Sequence, residues 1–538
     1  MKTSRNLIAL ASATLMLAAT ANTEARYGLI HSFDGSANDG GSPYGSLTLV
    51  GSDLYGMASE GGTSDNGTIF QLNSNGHDYT TLYSFGTVDN DGASPYGSLT
   101  LVGSNLYGMA YSGGDNDNGT IFQISTDGSG YTNLYSFGTV DNDGANPNGS
   151  LTLVGSTLFG MTYSGGDNNN GTIFQINTDG SGYTNLYSFG TVDNDGANPY
   201  GSLTLVGSIL FGMTSEGGTY SDGTIFQINT DGSGYTNLYS FGTVDNDGAN
   251  PEGDVTLVGS TLFGMANNGG IYSYGTIFQI NTDGSGYTNL YSFGIDDNDG
   301  ANPYGDVTLV GSNLFGMTSD GGINSEGTIF GMNIDGSGYT NLYTFGTVNN
   351  DGAYPNGDVT LAGSTLFGMT SEGGTSNNGV IFSLSLPSLT ATGPGQFTIK
   401  KFQATVNLDP AKTNLDTWSL TATPPLGLGF SVTNQTVTVD VGGAQATFSL
   451  NAKGSSKSST NSCDLTYTKK TEVWTLTASM KKGSWATDWA GFGVTNATTP
   501  KAGMTVTLPV SVTVGTNTFA TEESLQYKAT EGKSGTLR

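Results

Sequence analysis

The stretch GSLTLVGSILFGMTSEGGTYSDGTIFQINTDGSGYTNLYSF, residues 201–241, decides the fold. It holds four short apolar runs: GSLTLV (201–206), ILFGMT (209–214), GTIFQIN (223–229) and TNLYSF (236–241). Each is strand length and rich in Leu, Ile, Phe, Tyr and Thr, the composition of half-buried strands. VGS joins the first pair, a loop opening with Gly217-Gly218 joins the second, and TDGSG (230–234) joins the third, as Gly-containing hairpins do. Helix signals are missing, and 84 glycines in 538 residues are too many for amphipathic helices.

The same unit recurs along the chain. The Gly that follows LV or LA falls at Gly51, Gly103, Gly155, Gly207, Gly259, Gly311 and Gly363, a spacing of 52 every time. Phe33, Phe85, Phe137, Phe189, Phe241, Phe293 and Phe345 keep step with it. Four antiparallel strands repeated seven times predict an all-β chain folded as a seven-bladed β-propeller over residues 27–386. The ends are complementary. The first copy opens with a lone fourth-type strand, YGLIHSF (27–33), and the last stops after its third, VIFSLS (380–385), so the N-terminal strand should complete the final blade. A β-solenoid is the alternative, but its coils are shorter and need no such ends.

A first strand, a strand ending in Gly-Gly and an aromatic-bearing strand make a blade that looks kelch-like. More closely, GDVTLVGSTLFGMANNGG (253–270) and GDVTLAGSTLFGMTSEGG (357–374) resemble the GloVer tandem-repeat proteins, a secreted bacterial group. The resemblance covers about 27–386 and all seven copies. It implies an exported repeat protein and little about activity. Such proteins often end in a sorting signal with an apolar segment; EGKSGTLR (531–538) has none, so anchoring by that route is not expected.

Lys2 and Arg5 precede the apolar run LIALASATLMLAAT, and Ala19-Thr20-Ala21 offers small residues for cleavage. Residues 1–21 therefore read as a signal peptide, too short to span a bilayer, and the mature protein is expected outside the cell, free or surface-associated. The single cysteine, Cys463, has no partner for an internal disulfide. Charge is divided unevenly: no Lys or Arg stands between Tyr27 and Ile399, where 35 acids stand, while the tail from Lys400 carries thirteen cations. A body without cationic side chains cannot grip phosphates, which excludes nucleic acid as a partner.

After Pro387 the period stops and all four tryptophans occur: Trp418, Trp474, Trp485 and Trp489. Alternating segments such as QTVTVDVGGAQATFSL (435–450) and MTVTLPVSVTV (504–514) predict a β-sandwich over 387–538. SWATDWAGFGV (484–494) reads as a short helix or loop whose tryptophans serve as core or as a carbohydrate platform.

The repeat body offers carboxylates, amides and hydroxyls, which are ligands for hard cations or hydrogen-bonding groups for sugars. His31 and His77 do not recur, so packing or solvated roles are expected of them. Candidate metal ligands fall in two sets. The connector repeats DND as Asp193/Asp195, Asp245/Asp247 and Asp297/Asp299, with equivalents at Asp89/Asp91 and Asp141/Asp143. Two readings stay open for it: turn chemistry, which leads, and a calcium loop, which would need more acids than the motif holds. The residue opening the first strand is Ser46, Ser98, Ser150 and Ser202, then Asp254, Asp306 and Asp358. If that strand is innermost, three consecutive blades set carboxylates at one side of the channel mouth.

Other repeated residues read as architecture: Met57 and its equivalents as blade-to-blade filler, Gly56 and its equivalents as close approaches between sheets. The residues after the connector prolines (Tyr44, Tyr96, Asn148, Tyr200, Glu252, Tyr304, Asn356) are candidate glycan or protein contacts. The expected function is non-enzymatic extracellular binding or surface scaffolding through an acidic loop face, with Ca2+ as the one cofactor in view. The alternative is a cation-dependent carbohydrate-active enzyme with its site at the channel mouth.

Overall fold

The computed structural model describes residues 25–296, 298–310, 313–362, 365–386, 398–407, 416–424, 436–441, 444–468, 473–483, 489, 494, 504–514, 517–530 and 533–537. The signal segment, Asp297, Trp485 and most of 484–494 lie outside them. All regular structure among the described residues is β-strand.

Seven antiparallel blades form the repeat body. In the fourth, Thr204–Val206 pairs Ile209–Thr214, which pairs Thr224–Asn229, which pairs Thr236–Ser240. The second strand buries Leu210, Phe211 and Met213 because the blade packs on both faces and has no solvent side. In the last blade, Arg26–Ser32 pairs Val380–Ser385 antiparallel, so the first segment of the repeat body closes the ring as its last strand.

Each core cluster is shared by two consecutive blades. Tyr55, Met57 and Phe85 pack on Leu99, Leu106 and Phe122, and the pattern repeats round to Phe367 and Met369 against Leu47 and Leu54. The methionines are filler between blades. Gly56 and its equivalents act within a sheet instead: a Cβ on Gly56 would meet the Phe70 ring across the ladder at 2.5 Å. The glycines that bring blades together are Gly45, Gly97, Gly149, Gly201, Gly253, Gly305 and Gly357. A Cβ on Gly149 would meet the carbonyl oxygen of Gly201 in the next blade at 2.1 Å.

Two belts of hydrogen bonds run round the axis. The Thr48 hydroxyl donates to the Leu99 carbonyl at 2.6 Å, and each inner-strand threonine repeats this until Thr360 donates to Leu47 O at 2.6 Å. The second belt belongs to the candidate site. Outside, tyrosines stack between blades: Tyr187 lies 3.9 Å from Tyr235, centroid to centroid, with equivalent pairs elsewhere. Such stacks contribute about 0.5–1.5 kcal/mol each beyond area burial.

The C-terminal strands form one ten-stranded antiparallel sheet, ordered 444–449, 436–441, 504–514, 517–530, 534–537, 398–407, 416–423, 473–483, 461–468 and 455–457. Its strands share one core, with Val437, Val439, Val510 and Val512 beside Trp418, Leu420, Leu465 and Leu476, so the sheet doubles over in the manner of a sandwich. Trp418, Trp474 and Trp489 are buried in that core, and Trp489 Nε1 donates to Val441 O at 2.6 Å. They are packing residues rather than an exposed platform. Cys463 is a buried free thiol, pushed up to about 12 by burial and by Asp464.

Candidate functional site at the channel mouth

The inner strand is the first of each blade, so Ser46, Ser98, Ser150, Ser202, Asp254, Asp306 and Asp358 meet around the axis. The backbone N–H of each donates to the side-chain oxygen of the next: Ser46 to Ser98 Oγ at 2.7 Å, Ser98 to Ser150 Oγ at 2.8 Å, Ser150 to Ser202 Oγ at 2.7 Å. Ser202 then donates to Asp254 Oδ1 and Asp254 to Asp306 Oδ1. Asp306 donates to Asp358 Oδ1 at 2.6 Å, and Asp358 closes the belt on Ser46 Oγ at 2.7 Å. Ser and Asp are interchangeable here because both hold an oxygen acceptor at the same short reach.

Three carboxylates inside such a belt are electrostatically costly. Burial pushes Asp254 up to about 6, and the charge of Asp358 adds to it. Burial, then Asp254 and Asp358, pushes Asp306 well above the ordinary range; burial also raises Asp358. Like charges this close and this buried disfavour full ionisation of the set, and the backbone N–H groups of Ser202 and Asp254, donated to Asp254 and Asp306, offset only part of that cost.

A second ring stands at the same mouth. Tyr44, Tyr96, Asn148, Tyr200, Glu252 and Tyr304 line, with the serines and aspartates, an axial cavity whose water-accessible core is about 70 Å³. The tyrosines meet edge to face: Tyr44 with Tyr96 at 5.0 Å, and Tyr200 with Tyr304 at 5.5 Å across the smaller Glu252. Burial alone pushes Glu252 up to about 7. Glu252, Asp254, Asp306 and Asp358 thus gather on one side of the axis, in three consecutive blades. Their oxygens suit a hard divalent cation, whose charge would offset the repulsion among them.

The connector aspartates are placed elsewhere and apart from one another. Asp195 is buried; its Oδ2 accepts from the Tyr187 hydroxyl at 2.7 Å and its Oδ1 from the Gly190 N–H at 2.9 Å. Asp247 takes Tyr239 and Gly242 in the same way, and Asp299 takes Tyr291 and Gly294. Asn194 and Asn246 adopt φ of 63° and 64°, the left-handed turn conformation that Asn tolerates. Asp193 and Asp245 are exposed. The second aspartate of DND therefore ties its own turn to the outer strand, and the connectors share the face of the second-to-third loops, pairing with them as Gly196-Ala197 does with Glu216-Gly217.

Sequence reasoning did not find the Tyr–Asp pairs, although tyrosine precedes aspartate by eight residues each time. Nor did it see that His31 stands in a tyrosine's place: its ring stacks on Tyr79 at 3.9 Å and its Nε2 donates to Asp39. Among the described residues no group of three or more His, Cys, Asp or Glu has the geometry of a formed metal site.

The pattern of the Gloeobacter/Verrucomicrobia repeat matches residues 12–137, 90–273 and 210–417. No curated protein sequence matches the chain. Distant likenesses to solved structures include a nidogen/laminin complex (15% identity, 55% of this chain and 90% of that one, TM-score 0.34). BP39L lectin from Burkholderia pseudomallei (7%, 66% and 97%, 0.41) and polysaccharide lyase Uly1 (11%, 65% and 91%, 0.40) are others. Nothing about ligand or activity follows from likeness at that distance.

Proposed function

The chain belongs to the Gloeobacter/Verrucomicrobia repeat family, and from that premise we propose that it is an exported, non-catalytic binding scaffold whose loop face holds a divalent cation, calcium, at the channel mouth. The observation that supports this is the confinement of asymmetry. The blades repeat one hydrogen-bond plan, while Glu252, Asp254, Asp306 and Asp358 collect carboxyl groups with no cationic side chain beside them at one side of one cavity. Catalysis needs an asymmetric constellation of complementary groups; a cation site needs converging oxygens. Asp193 and Asp245 would add a diffuse acidic field to that face, with Asp195, Asp247 and Asp299 holding the loops that carry it.

The test is thermal unfolding of the full chain with calcium, magnesium and chelator, with calorimetric titration alongside. One site at ten times its dissociation constant adds about 1.4 kcal/mol. A calcium-specific rise supports the reading; equal responses to calcium and to added sodium chloride reduce it to screening.

One observation favours a second reading. Glu252, pushed to about 7 by burial, has the protonation behaviour of a general acid, which would suit a cation-dependent enzyme acting on extracellular carbohydrate. Under it, Glu252→Gln abolishes cleavage of a responsive polysaccharide, whereas the scaffold reading expects no cleavage from either form.

A further inference from the structure

The loop between the second and third strands is polar in most blades: TSDN (63–66), DNDN (115–118), DNNN (167–170), TSNN (375–378). In blades one, two, three and six its second residue braces the turn; in blade seven Ser376 stands there without that bond. Ser64 donates to Gly86 O at 3.0 Å, Asn116 to Gly138 O at 2.7 Å, Asn168 to Gly190 O at 2.6 Å and Asn324 to Gly346 O at 2.5 Å. Blades four and five change the residue itself. There the loop reads TYSD (219–222) and IYSY (271–274), and Tyr220 and Tyr272 replace the bracing side chain. A turn-stabilising hydrogen bond is given up, and 58% and 51% of each tyrosine is left in solvent.

The exposed surface extends from there. Tyr274 lies against Gly294, beside exposed Ile295, and Ile271 and Ile323 are 56% and 65% exposed. Elsewhere on the repeat body the large exposed hydrophobics stand singly: Leu29 on the closing strand, and valines such as Val88, Val140 and Val192, one to a connector. Acids border the cluster on the same loops and connectors, among them Glu216, Asp245 and Asp296, and no Lys or Arg occurs between Tyr27 and Ile399. A local arrangement that sacrifices its own stability to expose apolar surface is the mark of a functional site.

We propose that the loops of blades four to six, centred on Tyr272 and Tyr274, dock a protein partner whose contact face sets apolar side chains among lysine or arginine. This rests on the scaffold reading and names its partner class. Charge complementarity selects a cationic partner. Tyrosine faces accept cationic groups, and an apolar centre with a charged rim is the anatomy of a protein interface. The branched side chains of Ile271, Ile295 and Ile323 form knobs rather than the flat platform a sugar ring would use. A second copy docking through the same face would set acid against acid.

The test uses the full-length chain with a synthetic amphipathic Leu/Lys peptide, its Leu/Glu counterpart and hexaglucosamine, at about 0.3 M salt to suppress diffuse attraction. The variant Y272N/Y274N installs the residues of blade three and restores the Asn-to-Gly brace. It should melt no lower than wild type, keep its calcium response and bind the Leu/Lys peptide about tenfold or more weakly. Equal peptide binding by variant and wild type, or equal binding of the Leu/Glu peptide, overturns the proposal. So does a lower melting temperature in the variant, which would make the tyrosines structural. Binding of hexaglucosamine without the peptide would assign the patch to glycan instead. Because calcium response is read separately, failure of the scaffold reading is distinguishable from failure of the docking site.

Discussion

His31 Nε2 stands 3.1 Å from Asp39 Oδ1 in the seam that closes the ring, where six other positions set a tyrosine hydroxyl against the matching aspartate, as Tyr83 does with Asp91 at 2.7 Å. The imidazole keeps both duties of the tyrosine it replaces: it donates to the carboxylate and stacks on the next blade through Tyr79.

His31→Ala should therefore lose a donor and a stack together, destabilising by about 1–3 kcal/mol, and His31→Tyr should recover most of it. Hydrogen exchange across Arg26–Ser32 reads the seam directly. Burial pushes Asp39 up, but hydrogen bonds from His31 and the Asp34 N–H outweigh it and hold the carboxyl below its ordinary 3.8. A depressed acid stabilises above its unfolded value and loses that contribution as pH falls through the folded one. Acid opening of the seam is thus expected only below about pH 4. Seam exchange that accelerates already at pH 5 would show that Asp39 is not the group holding it.

The two aspartates of each DND should separate cleanly. Asp195→Ala strands the half-buried Tyr187 hydroxyl and the Gly190 N–H, for a loss of about 1–3 kcal/mol without any metal. Asp193→Asn touches only solvent and should leave the melting temperature unchanged. A calcium loop would make both substitutions costly in calcium and neither costly in chelator, which is the opposite pattern.

Replacing Asp254, Asp306 and Asp358 together by Ser should preserve the axial belt, because four serines already accept the same hydrogen bond in blades one to four. The sign of the pH effect follows from Asp254. Its carboxyl is raised from 3.8 to about 6, so the folded state binds more protons than the unfolded one in that window, and stability falls as pH rises through it. The penalty at pH 7 is on the order of 3 kcal/mol. In chelator the triple variant should melt above wild type at pH 7, with the gap closing towards pH 4. Calcium should stabilise wild type alone, more weakly below about pH 6, where protons compete. A variant that melts lower in chelator would mean that the carboxylates contribute contacts worth more than their repulsion.

The propeller was legible because seven copies keep a spacing of 52 without insertion, so one blade read correctly gives all of them, and the unmatched strands at residues 27–33 and 380–385 announce closure. In the tail, alternation marked strands, but nothing in Val437 or Leu465 says which strands pair, so one continuous sheet was not foreseeable. The position of Asp254, Asp306 and Asp358 followed from the period. Their role as acceptors did not, although the exchange of Ser for Asp, residues sharing little beyond a short-reach oxygen, was the available signal. For Asp195 the signal was the constant interval of eight residues to Tyr187, obscured because the aspartate looked like a ligand and the tyrosine like core.

The inner glycines give the sharpest test of how closely the blades are drawn together. Gly149→Ala would place a Cβ 2.1 Å from Gly201 O, against backbone that is itself locked into the axial belt and cannot yield as a side-chain tip can. Overpacking of this kind costs about 3 kcal/mol or more. Gly207 has the opposite problem: nothing lies within 4 Å of a Cβ there, but its φ is +67°. Gly207→Ala should cost only the left-handed backbone strain, about 1 kcal/mol. Denaturant unfolding of the two variants should rank Gly149→Ala well below Gly207→Ala, with inner-strand amides of blades three and four losing protection only in the first. The reverse ranking would mean that the blades have slack at the axis, and that the closed belt of Ser and Asp acceptors is not what sets their spacing.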